Sequence, residues 1–125
     1  MNVLHRLRAS LDPGGLVIDT QPVSPLPPVE ANSQYLGALD RREWARTIRS
    51  LDSQVERVID DGLFELIDTS HFAVADEFGS GPELVEATRQ WQGTSVSEAV
   101  AARIARETSS AQLTHAVRLR VLRRL

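Results

Sequence analysis

The residues of this chain best suited to chemistry are His71, His115 and an acid at the end of an apolar run, Asp19. An imidazole on a strand can act as a general base near neutral pH, and both His71 and His115 fall on strand-like segments. Neither has a visible partner nearby in sequence, so a packed or exposed structural role is the ordinary reading of each. Asp19, Thr20 and Gln21 follow Leu16-Val17-Ile18, and in open α/β sheets ligands gather just beyond such strand ends. These three are the candidates for a ligand site at that strand end, with Asp19 as its acid. The chain has no Cys, which excludes a disulfide, a thiolate metal site and a Cys nucleophile. His5, His71 and His115 show no metal-ligand spacing, so no metal is expected. No serine stands in a nucleophile-elbow context, and no catalytic residue is assigned.

A length of 125 residues predicts a single domain, 1–125. Apolar residues at 42% and charged residues at 25% are ordinary for a globular protein. A net charge of −3 argues against a general binder of nucleic acid or of anionic membrane. No apolar run approaches the ~20 residues of a membrane span. The start, Met1-Asn2-Val3-Leu4-His5-Arg6, shows no basic segment leading into an apolar one, so a cytoplasmic protein is expected.

The elements that must position these residues follow from periodicity. Val3, Leu4, Leu7 and Leu11 line one face of a first helix that Pro13-Gly14-Gly15 ends. Leu16-Val17-Ile18 is continuous and apolar, which predicts a strand buried on both faces. Residues 21–37 read as an irregular, Pro-rich loop. Asp40 and Glu43 fit a capping box, with Leu39 and Trp44 as a hydrophobic staple. Trp44, Ile48, Leu51, Val55 and Val58 then mark the buried face of a long helix over about 40 to 61.

Residues 63–78 read as a strand with a bend near Asp68-Thr69-Ser70. Two short helices follow, opened by Ser80-Gly81-Pro82-Glu83 and by Ser95 with Glu98. The last strand, about 113–122, alternates between His115, Val117, Leu119, Val121 and Thr114, Ala116, Arg118, Arg120. The 63–78 region is acidic and the closing segment carries Arg118, Arg120, Arg123 and Arg124, so the two strands are expected to pair.

Leu11-Asp12-Pro13-Gly14-Gly15 followed by Leu16-Val17-Ile18-Asp19 resembles a signature of class I S-adenosylmethionine-dependent methyltransferases. The resemblance covers the C-terminal half of that family's domain. It implies a partial α/β, Rossmann-like fold: a small mixed sheet of about three strands, the last antiparallel in the middle, with flanking helices. It places Asp19, Thr20 and Gln21 at a substrate lip. The family's acidic-x-Gly-x-Gly cofactor loop has no counterpart after a first strand here. Gly79-Ser80-Gly81 has the right letters and reads as a helix entry. The expectation is therefore a truncated methyltransferase, inactive alone and without bound S-adenosylmethionine. Its partner would be a second copy or a chain carrying the missing N-terminal half. The alternative is a non-catalytic interaction module that pairs in the same way.

Overall fold

A computed structural model describes residues 3–125. Met1 and Asn2, which enter the expectation about the start of the chain, lie outside the described residues. The elements run α1 (Val3–Ser10), β1 (Leu16–Pro22), β2 (Pro28–Ala31), β3 (Gln34–Ala38), α2 (Arg42–Asp60), β4 (Phe64–Phe78), α3 (Gly81–Thr88), α4 (Glu98–Ala105) and β5 (Ala111–Arg124). The protein is thus α/β, with five strands and four helices among the described residues.

β5 organises the sheet. β4 pairs along its whole length on one side, and β1 and β2 share the other side end to end, with β3 beyond β2. Every pairing is antiparallel, so the sheet is not mixed and has five strands rather than about three. As expected, the last strand lies antiparallel in the middle, and β1 and β4 point the same way on either side of it.

The two extra strands come from the segment expected to be irregular. Within 21–37, β1 continues to Pro22, and a tight hairpin joins β2 to β3 through Asn32 and Ser33, both at positive φ. Two successive left-handed residues match the right-handed twist of the flanking strands, and Asn tolerates that conformation.

β5 buries different faces along its length. Ala111, Leu113, His115 and Val117 are buried on one face; from there the burial moves to Arg120 and Leu122 on the other. The first face joins Val29, Leu36, Leu84 and Ile104 in a core under α3, α4 and the hairpin. The second joins Leu4, Val55, Val58 and Phe64 in a core under α1 and α2. α3 and α4 approach closely at Gly81, where a Cβ would stand 1.7 Å from the Ile104 carbonyl oxygen.

Several local expectations are corrected. β1 is not buried on both faces: its residues alternate, and Ile18 is 66% exposed. A continuous apolar run is interior only if both faces are covered, and among the described residues one face of β1 is not. α2 starts at Arg42 rather than near residue 40; Asp40 Oδ1 still accepts the Arg42 N–H at 3.0 Å, but no side chain caps from the N-cap residue, Arg41. Trp44 is half-buried, so the first full core residue of α2 is Ile48. β4 is one strand with a register shift between Leu66 and Asp68 instead of a bend at 68–70. Ser97, not Ser95, caps α4 by accepting the Val100 N–H.

Candidate functional site

A cavity of about 330 Å³ opens on the first face of β5, at the edge of the α3–α4 layer. Strand alternation carries His115, Val117, Val74 and Asp76 to it. Asp76 pairs in register with Leu113, which makes it the diagonal neighbour of His115 on the same face. His115 Nε2 lies 2.9 Å from Asp76 Oδ2. Nδ1 is buried without a hydrogen-bond partner, and the residue is only 6% exposed.

Two loops complete the walls. Asp40 and Ser95 form an isolated two-way bridge, N to O at 2.7 and 2.8 Å, and the Arg41 N–H donates to Pro25 O at 2.8 Å. Gly93 makes the approach feasible: its φ is +65°, and a Cβ there would stand 2.8 Å from Trp44 N. Trp91 is thereby held over the cavity, its ring 6.4 Å from those of His115 and Phe78. The Arg41 guanidinium lies 5.7 Å from the ring centroids of both Trp44 and Trp91. Burial lowers the Arg41 pKa from its ordinary value, and no ion pair relieves it among the described residues. The arrangement places a guanidinium and an imidazole in one largely apolar recess.

The sequence-derived candidates are not brought to this cavity, His115 excepted. Asp19 accepts from Arg120 Nη2 at 2.7 Å and from Gln21 Nε2 at 3.0 Å, on the opposite face of the sheet. Arg120 also reaches Asp52 of α2 at 3.0 Å, and Arg118 chelates Asp52 at 2.6 and 3.0 Å. Asp19 and Gln21 thus belong to a polar network that fastens α2 to the sheet. Thr20 is exposed on the face that carries Ile18, and His71 is exposed opposite Arg118. Among the described residues no group of three or more His, Asp or Glu could hold a metal ion. No helix among them is long and apolar enough to cross a membrane.

The Gly79-Ser80-Gly81 segment tests the fit of an S-adenosylmethionine cradle. Such a loop must leave backbone N–H groups free for a ligand. Here Gly79 N donates to Glu83 Oε2 at 3.0 Å, Glu83 N to Ser80 Oγ, and Gly81 N to Glu107 O at 2.9 Å. Ser80 caps α3, Glu83 reaches back to the Gly79 N–H just before the cap, and Gly81 serves the contact with α4. The segment is a helix entry, and its residues do not fit the cofactor.

Arg41, Asp76 and Trp91 were not singled out as site residues by sequence reasoning. Asp76 is visible only once the β4–β5 register is known. Arg41 did leave a signal: two arginines, Arg41 and Arg42, open a helix whose dipole disfavours positive charge there. Arg42 answers it with Asp40 at 2.7 Å, and Arg41 does not. Fold and cavity together define an α/β protein on an antiparallel sheet with an imidazole and an unpaired guanidinium in one recess. No family model, curated protein or solved structure matches the chain.

Proposed function

We propose that this chain is the C-terminal half of a class I S-adenosylmethionine-dependent methyltransferase-like fold, not competent in catalysis alone. Its β1 edge would be completed by a second copy or by a chain that supplies the missing strands. The observation that carries the reading is the position of β5, antiparallel between two strands that point the same way. Pro13-Gly14-Gly15 leads into the first of them, as the resemblance implies. The hairpin β2–β3 follows β1 directly, in the stretch the resemblance gives to a substrate lip.

Two measurements test this. The coding sequence upstream of Met1, or a neighbouring gene, should hold an acidic-x-Gly-x-Gly run after an apolar strand; its absence from both would overturn the family reading. Calorimetric titration of S-adenosylmethionine into the chain alone should give no saturable heat. Micromolar binding would overturn the claim of incompetence.

The second reading, a non-catalytic interaction module, is favoured by one surface. Leu16, Ile18 and Phe72 are exposed on a single face of the sheet, around the half-exposed Leu119 and Val121. Contiguous apolar surface of this kind marks partner sites.

A further inference from the structure

We infer that the cavity between Arg41 and His115 binds a small organic monocarboxylate. Its carboxylate meets the Arg41 guanidinium, and its apolar body lies against Trp91, Val74 and Val117. The inference does not rest on the methyltransferase-like reading, because every residue it uses belongs to the described chain.

Arg41 is 9% exposed and its Nε has no hydrogen-bond partner. Buried charges are normally paired, since an isolated ion away from water loses its hydration without compensation. The indoles of Trp44 and Trp91 offset part of that cost through cation–π attraction, but their ring faces do not accept the hydrogen bonds that the guanidinium fork donates. An anion lining the same recess would. A planar carboxylate matches the fork in a bidentate manner.

The walls select the class of anion. Pro22, Val74, Val117 and Trp91 are apolar, which favours a ligand with a hydrocarbon body. Asp76, half exposed at the same cavity, repels a second negative charge and so disfavours a phosphate dianion. A volume of about 330 Å³ lies at the small end of ligand pockets and suits a single ring.

The chain's two tryptophans both flank Arg41, so indole emission reports on the site directly. The experiment titrates the whole chain with benzoate, benzamide and inorganic phosphate. Benzoate should produce a saturable change and bind at least about tenfold tighter than the neutral benzamide, the difference expected of a charge-assisted hydrogen bond. Phosphate should bind more weakly than benzoate. In Arg41→Met, with its fold checked by circular dichroism, benzoate should lose its advantage over benzamide. The comparison of ligands on the natural chain stands even where that variant fails to fold. Equal affinity for benzoate and benzamide, no saturation by benzoate, or tighter binding of phosphate would each overturn the inference.

Discussion

Asp52→Ala should weaken the fold through Arg118, and the structure sets the size of the effect. Asp52 accepts two hydrogen bonds from Arg118 and stands 3.0 Å from Arg120. After the substitution Arg120 keeps Asp19, whereas Arg118, whose Nε is already without a partner, keeps no hydrogen-bonded carboxylate and only the more distant charge of Asp19. Breaking a fully buried pair costs roughly 3–5 kcal/mol, and an exposed pair is worth about 0–1 kcal/mol. The side chains here are 15% and 25% exposed, so a loss of about 2 kcal/mol is expected. Urea unfolding at neutral pH should show it as a midpoint lowered by roughly 1 M.

Glu65→Ala supplies the control. Glu65 and Arg123 are 3.7 Å apart and both half exposed, so removal should change stability by no more than about 0.5 kcal/mol. The pH dependence sharpens the test. Burial works to raise the Asp52 pKa, but the hydrogen-bonded Arg118 and the nearby Arg120 outweigh it, and the net shift is downward. A depressed folded pKa gives stability that is present above the unfolded value of about 3.9 and is lost as pH falls through the folded one. The gap between the natural chain and Asp52→Ala should therefore be full at neutral pH and narrow below about pH 4. An Asp52→Ala effect no larger than that of Glu65→Ala, or a gap that widens in acid, would refute the reasoning.

Two further outcomes follow from packing and from the sheet edge. Gly81→Ala forces a Cβ onto the Ile104 carbonyl and should cost about 3 kcal/mol in urea unfolding, whereas Gly79→Ala meets only the movable Glu83 carboxylate and should cost less than about 1 kcal/mol. Light scattering after size exclusion should find the natural chain associated at micromolar concentration and Ile18→Lys shifted toward monomer, since a charge blunts an exposed edge strand; a sharp monomer peak for the natural chain would remove the case for an orphaned β1.

The elements that the sequence revealed are those whose signals are local. α2 declares itself through Ile48, Val55 and Val58 on one face, and α3 through Ser80, Pro82 and Glu83 at its start. The pairing of β4 with β5 was legible from charge, yet only Glu65–Arg123 spans those two strands as an Arg–carboxylate pair. Arg118 and Arg120 turn instead to Asp52 and Asp19 on α2 and β1, because they face the helix side of the sheet. The hairpin was hidden by its prolines and by a turn, Asn32-Ser33, that lacks the usual glycine. The cavity was hidden for another reason. Its walls come from residues 22 to 117, and only the register and the Asp40–Ser95 bridge bring them together.

The change of face along β5 connects the cavity to the question of partners. Up to Leu113 the apolar face of the strand is covered by α3, α4 and the hairpin, and His115 and Val117 line the cavity. Beyond Val117, the face toward α2 carries Arg118 and Arg120, held in place by Asp52 and Asp19, while Leu119 and Val121 turn to the other side beside the exposed Ile18. Beside the core of Leu4, Val55, Val58, Phe64 and Leu122, two arginines are thus held against the sheet at this end, while Ile18 and Phe72 stay exposed on the other face. A surface of that kind gains free energy when another apolar face covers it, at about 25 cal/mol for each Å² removed from water. The cavity lies where the covered half gives way to the uncovered one, with Val117 opposite both Pro22 and Phe72.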